Sequence, residues 1–106
     1  MATPEGKIQK AILDALTKAQ VFHWRNNNAP IYDQKLNSGY GGYRAHAGMK
    51  GVPDIICVIN GQFVGIEVKT PRGKQSSDQV LFQKRLERAG GKYILARGVD
   101  DIVEIL

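Results

Sequence analysis

The sequence predicts a single α/β domain, and three observations predict it. A stripe of apolar residues at helical spacing opens the chain. An apolar hairpin around an Asn-Gly turn occupies its middle. A second, capped helix then leads into another strand. With 106 residues the chain has the length of one domain. Its 42% hydrophobic and 24% charged residues are ordinary globular composition. No apolar run approaches the roughly 18 residues needed to cross a bilayer, which excludes an integral membrane protein. The N-terminal stretch MATPEGKIQKAI lacks the apolar core of a signal peptide. Cys57 is the sole cysteine, so neither an intrachain disulfide nor a cysteine cluster for zinc is available, and a reducing, cytoplasmic compartment is expected.

Residues 4–19 read as the first helix, with Ile8, Ile12, Ala15, Leu16 and Ala19 on one face. Thr3 followed by Pro4 is an N-cap followed by a first-turn proline. Glu5 stands at the front of the stripe, either complementing the helix dipole or serving a site. Residues 21–25, VFHWR, read as a short strand. From Asn26 to Gly51 no period is sustained, although a further strand is expected within 40–47. That segment holds Tyr32, Tyr40 and Tyr43, and five glycines between Gly39 and Gly51. An irregular stretch of this length in a small domain points to function.

The run DIICVI from Asp54 is a buried strand, Asn60-Gly61 is a hairpin turn, and QFVGIEVK alternates as the returning strand. Ser76 and Gln79 form a capping box that opens the second helix, whose stripe is Phe82, Leu86 and Ala89 and which stops at Gly90-Gly91. Residues 92–96, KYILA, are the next strand. Residues 99–106 form a short helix or strand, with Val99, Ile102, Val103 and Leu106 spaced for helix.

The net charge is +5, with a pI near 9.5, and residues 25–50 contribute +3 of it. A small basic domain makes nucleic acid the first partner to consider. The expected contacts are Arg25, Arg44, Lys50, Arg72 and Lys74.

A two-residue turn at Asn60-Gly61 pairs Ile59 with Gln62 and sets Asp54 opposite Glu67. Two carboxylates facing each other destabilise a sheet. A hard divalent cation between them, Mg²⁺ or Mn²⁺, would offset the repulsion. Lys69, two residues beyond Glu67, lies on the same face. Gln79 lies on the sheet-packing face of the second helix, where its amide either caps the helix or reaches the cluster. His23 and His46 read as structural or DNA-contacting residues, and Cys57 as a core residue.

Gly51-Val-Pro53-Asp54, Glu67-Val-Lys69 and Ser76-x-x-Gln79, in this order and spacing, resemble the PD-(D/E)xK nuclease superfamily. More narrowly, the chain resembles the virus-type replication-repair nuclease (VRR-NUC) domain. That resemblance spans most of residues 1–106, from Glu5 and Trp24–Asn26 to Gly90-Gly91. It implies a restriction-endonuclease-like core, a central mixed sheet flanked by helices in αβββαβ order. It implies a metal-dependent DNA phosphodiesterase of phage or bacterial type, acting as a homodimer on branched DNA such as four-way (Holliday) junctions. Asp54, Glu67 and the carbonyl of Val68 would hold the metal, Glu5 and Gln79 would complete or brace the site, and Lys69 would orient or deprotonate the attacking water. The alternatives are a flap or restriction-like nuclease on the same core, or a nucleic-acid-binding module without catalysis.

Overall fold

The computed structural model describes residues 3–26, 31–33, 42–44 and 49–106, the two short central stretches by their backbone. Its elements run α1 (Pro4–Lys18), β1 (His23–Arg25), β2 (Ile31–Asp33), β3 (Gly42–Arg44), β4 (Ile55–Ile59), β5 (Gln62–Val68), α2 (Ser77–Arg88), β6 (Lys92–Ala96) and a closing 3₁₀ helix, η1 (Val99–Ile105). The fold is α/β, with a four-stranded mixed sheet flanked by helices. Strand order in that sheet is β1-β4-β5-β6: the first three strands are antiparallel to their neighbours, and β6 joins β5 in parallel. The parallel pair requires a crossover, and α2 supplies it. This sheet and its helices follow the expected αβββαβ order, and β2 and β3 add a separate two-stranded ribbon between β1 and β4. The expected strand within 40–47 corresponds to β3, and its partner β2 had no periodic signal because it is three residues long. Tyr40 and His46 lie outside the described residues.

The β4–β5 hairpin turns at Asn60 and Gly61, with φ of 51° and 81°. Two successive positive φ values are the backbone of a tight hairpin turn whose twist matches its strands. The register then follows the expected pairing, from Ile59↔Gln62 to Ile55↔Ile66. Because side chains alternate along strands, one sheet face carries Ile55, Cys57, Val64, Ile66, Val68, Ile94 and Ala96. These pack with Ile12 and Leu16 of α1 and with Ile102 of η1 into the hydrophobic core. Cys57 is buried there, and burial pushes its thiol up to about 11, so it is an inert packing residue. The other face carries Gly65, Glu67 and Tyr93 beneath α2. Gly65 is required on that face, since a Cβ there would stand 2.7 Å from Pro53 Cγ.

Both helix starts follow their sequence signals. Thr3 Oγ1 accepts the Gly6 N–H at 2.9 Å with Pro4 in the first turn, and Ser76 and Gln79 form the full capping box. The stripe ends differ from expectation. Ala19 and Ala89 are exposed C-cap residues, lying just beyond the last helical residues Lys18 and Arg88. The last segment is helical, as its spacing favours, but wound as a 3₁₀ helix. Among the described residues, no helix is long and apolar enough to cross a membrane.

Gly51 and Gly61 both adopt positive φ but differ in surroundings. A Cβ on Gly61 meets nothing within 4 Å, whereas one on Gly51 would lie 2.3 Å from the backbone oxygen of Asp78. We expect Gly61→Ala to cost about 1 kcal/mol, the left-handed backbone penalty alone. Gly51→Ala should cost clearly more, because the 50–53 loop must also move off α2. Urea denaturation of the two variants measures the difference.

Candidate metal centre

Three elements deliver three carboxylates to one end of the four-stranded sheet. Glu5 comes from the first turn of α1, Asp54 from the residue preceding β4, and Glu67 from the end of β5. Each offers one carboxylate oxygen, and these oxygens all lie within 4.8 Å of one another. The expected juxtaposition of Asp54 and Glu67 is therefore present, although Asp54 sits just outside the strand. Its Oδ2 accepts the Val68 N–H at 2.8 Å, which fixes the carboxylate against the end of β5. The Asn26 N–H, on the other side, donates to the Asp54 carbonyl at 2.7 Å.

Glu67 is 2% exposed. Its Oε2 stands 3.8 Å from Lys69 Nζ, and its buried Oε1 has no hydrogen-bond partner among the described residues. Burial first, then the hydrogen bond to Asp54 and the Asp54 charge, push the Glu67 carboxyl up to about 8; the Lys69 ammonium opposes the shift and the Glu5 charge adds to it. An orphaned buried carboxylate oxygen is expensive in a folded protein. A hard divalent cation satisfies it, and three carboxylate oxygens are a donor set of the right chemistry for Mg²⁺ or Mn²⁺. The residues present fit such an ion.

A cavity of about 330 Å³ opens over Asp54 and Glu67, walled by Lys50, Gly51 and Val52 on one side and by Ser76, Asp78 and Gln79 on the other. Gln79 thus lines the site, but its side-chain carbonyl accepts the Ser76 N–H at 2.8 Å. Of the two readings of its amide, the cap is the one the oxygen makes, and its place at the site is in the cavity wall. Asp78, which the sequence reading did not single out, lines the same cavity. Its place in the first turn, one residue before the capping-box glutamine, was the available signal. A second opening of about 480 Å³ lies on the other side of Glu5, lined by Thr3, Gln9, Arg25 and Thr70 among others.

Among the expected DNA contacts, Arg25, Lys50, Arg72 and Lys74 are exposed, and Arg25 and Lys50 line the two openings. Arg44 is in β3, and its side chain lies outside the described residues. His23 Nδ1 lies 2.7 Å from the Val21 carbonyl, and His23 is not a member of the carboxylate cluster.

No protein-family model matches the chain, and no curated protein matches it either.

The Glu67 carboxyl binds its proton more tightly in the folded chain than in the unfolded one. Between the ordinary value of 4.5 and about 8 the native state therefore holds more protons than the unfolded state, and stability falls as pH rises. In the absence of divalent metal, thermal melts should show a declining transition temperature across that window. Glu67→Gln should flatten the decline and be more stable than the parent chain at pH 8.

Proposed function

We propose that this chain is a Mg²⁺- or Mn²⁺-dependent endonuclease of the PD-(D/E)xK type, resembling the VRR-NUC domain, that hydrolyses phosphodiester bonds in branched DNA. The observation that carries this reading is the buried, unpartnered Glu67 Oε1, facing Asp54 and Glu5 with Lys69 beside it. A polyanionic substrate agrees with a net charge of +5, with exposed Arg25 and Lys50 lining the two openings, and with exposed Arg72 and Lys74 in the stretch that follows Lys69.

Asp54, Glu67 and the Val68 carbonyl would hold the ion, with Glu5 closing the set. Bound there, the ion would lower the pKa of a water held beside it and stabilise charge building on the phosphate. Asp54 is oriented for this by the Val68 N–H. Lys69 would orient the attacking water or, as the neutral amine, take its proton; alternatively, as the ammonium, it would stabilise charge on the reacting phosphate. The capping box fixes the α2 N-terminus, and with it the cavity wall at Ser76 to Gln79. Arg25, Lys50, Arg72 and Lys74 grip flanking phosphates. Among the described residues of one chain there is one such site. Paired cuts in a four-way junction therefore call for a homodimer, and a two-fold axis supplies the second site.

Labelled duplex, flap, single-stranded and four-way substrates, incubated with Mg²⁺, Mn²⁺ or EDTA, test the reading. We expect metal-dependent cleavage with four-way or other branched DNA preferred, and none in EDTA. Asp54→Asn, Glu67→Gln and Lys69→Met should each lower turnover by about 10²-fold or more while DNA binding in EDTA stays within a few-fold of the parent chain. Wild-type turnover from any folded member of this set removes that residue from the site. Light scattering at micromolar concentration decides the dimer, since a monomer of 11.7 kDa that makes paired cuts contradicts it.

A further inference from the structure

The parallel pairing of β5 with β6 aligns Val68 with Ala96, so Lys69 and Arg97 leave the sheet side by side. The Lys69 N–H donates to the Ala96 carbonyl at 2.9 Å and extends that ladder by one step. Beyond it the chain turns sharply. Gly73 N–H donates to the Thr70 carbonyl at 3.0 Å, with Pro71 at the second position of the turn. The Arg97 guanidinium fills the concave side. Its Nη1 donates to the carbonyls of Thr70 and Gly73 at 2.7 Å each, with the Pro71 carbonyl at 3.3 Å. The Nη1 group carries two hydrogens, and two short bonds use both. The Arg97 backbone is itself tied down, its N–H donating to Asp101 Oδ2 at 2.7 Å.

Gly73 links this clamp to the candidate centre. A Cβ at Gly73 would lie 3.4 Å from both Cβ and Cδ of Lys69, so the Gly73 backbone forms a wall along the lysine stem. That stem is otherwise rich in rotamers, yet the Lys69 side chain is only 16% exposed and its ammonium stands 3.8 Å from Glu67 Oε2. We propose that Arg97 is a positioning residue: by clamping the Thr70–Gly73 turn it holds the Lys69 ammonium beside Glu67. Its functional side rests on the place given to Lys69 above. A guanidinium suits the task because the two hydrogens of its Nη1 lie in a fixed plane on a long side chain that stays charged at every working pH. A lysine, shorter and on a flexible stem, would hold the turn less firmly.

Amine labelling tests the clamp without relying on catalysis. The intact chain and its Arg97→Met and Arg97→Lys variants are treated with limiting acetic anhydride, and each lysine is quantified by peptide mass spectrometry. Loss of the clamp should raise labelling of Lys69 by about 5-fold or more in Arg97→Met, with a smaller rise in Arg97→Lys. Lys10, with a side chain already 78% exposed, serves as the unchanged control. In cleavage assays Arg97→Met should lower kcat by about 10-fold, and Lys69→Met/Arg97→Met should be no slower than Lys69→Met alone, because Arg97 acts through Lys69. Unchanged Lys69 labelling in folded Arg97→Met overturns the proposal, as does a double variant slower by the product of the single effects. If Arg97→Met does not fold, Arg97→Lys decides by the same labelling criterion. Should the parent chain cleave no substrate, the nuclease reading fails, and the labelling alone supports or overturns the clamp.

Discussion

The site depends on one unfavourable placement: Glu67, 2% exposed, faces a second carboxylate and leaves one oxygen without a partner. Desolvation and like charge both act against ionising it, and the Lys69 ammonium at 3.8 Å only partly offsets them. The surrounding sheet holds the placement in being. Glu67 cannot swing out to water, because β5 pairs on both sides, with β4 and with β6. Asp54 cannot retreat, because its carboxylate is bound to the Val68 N–H and its carbonyl to the Asn26 N–H. A cation bound between the carboxylates would offset this cost.

The rest of the structure can be understood as support for that end of the sheet. Thr3 caps α1 and so places Glu5 in a fixed first turn at the cluster instead of at a fraying end. Gly51 lets the 50–53 loop lie against the α2 backbone, and Gly65 lets Pro53 seat on the sheet, which together aim Asp54 at β5. The capping box holds the α2 N-terminus over the cavity. Gln75 donates to both Gln83 and the Tyr93 hydroxyl, tying the loop before α2 to the helix and sheet it crosses. These are backbone and capping devices, each specified by one or two residues.

That economy explains how much was legible in the sequence. Asn60-Gly61 admits one tight turn, and a two-residue turn fixes every pairing of the hairpin, so the approach of Asp54 to Glu67 followed by counting. Thr3-Pro4 and Ser76-x-x-Gln79 carry their own geometry, so both helix starts were readable. Contacts created by the crossover were not readable. Arg97 meets the Thr70–Gly73 turn only because β6 lies parallel to β5 in one register, and no local spacing encodes that. The place of Gln79 was legible, but its choice between cap and cluster depends on side-chain reach, which spacing does not decide. The β2–β3 ribbon escaped for a different reason: strands of three residues are too short to show a period.

The central claim is that the carboxylate cluster is built to be completed by a divalent cation. Calorimetric titration of the metal-free chain with Mn²⁺ at neutral pH tests it most directly, beside Asp54→Asn and Glu67→Gln. Mn²⁺ should bind saturably to the parent chain and fail to bind to both variants while they remain folded. Mn²⁺ binding of equal strength in Glu67→Gln, or none in the parent chain, would contradict it.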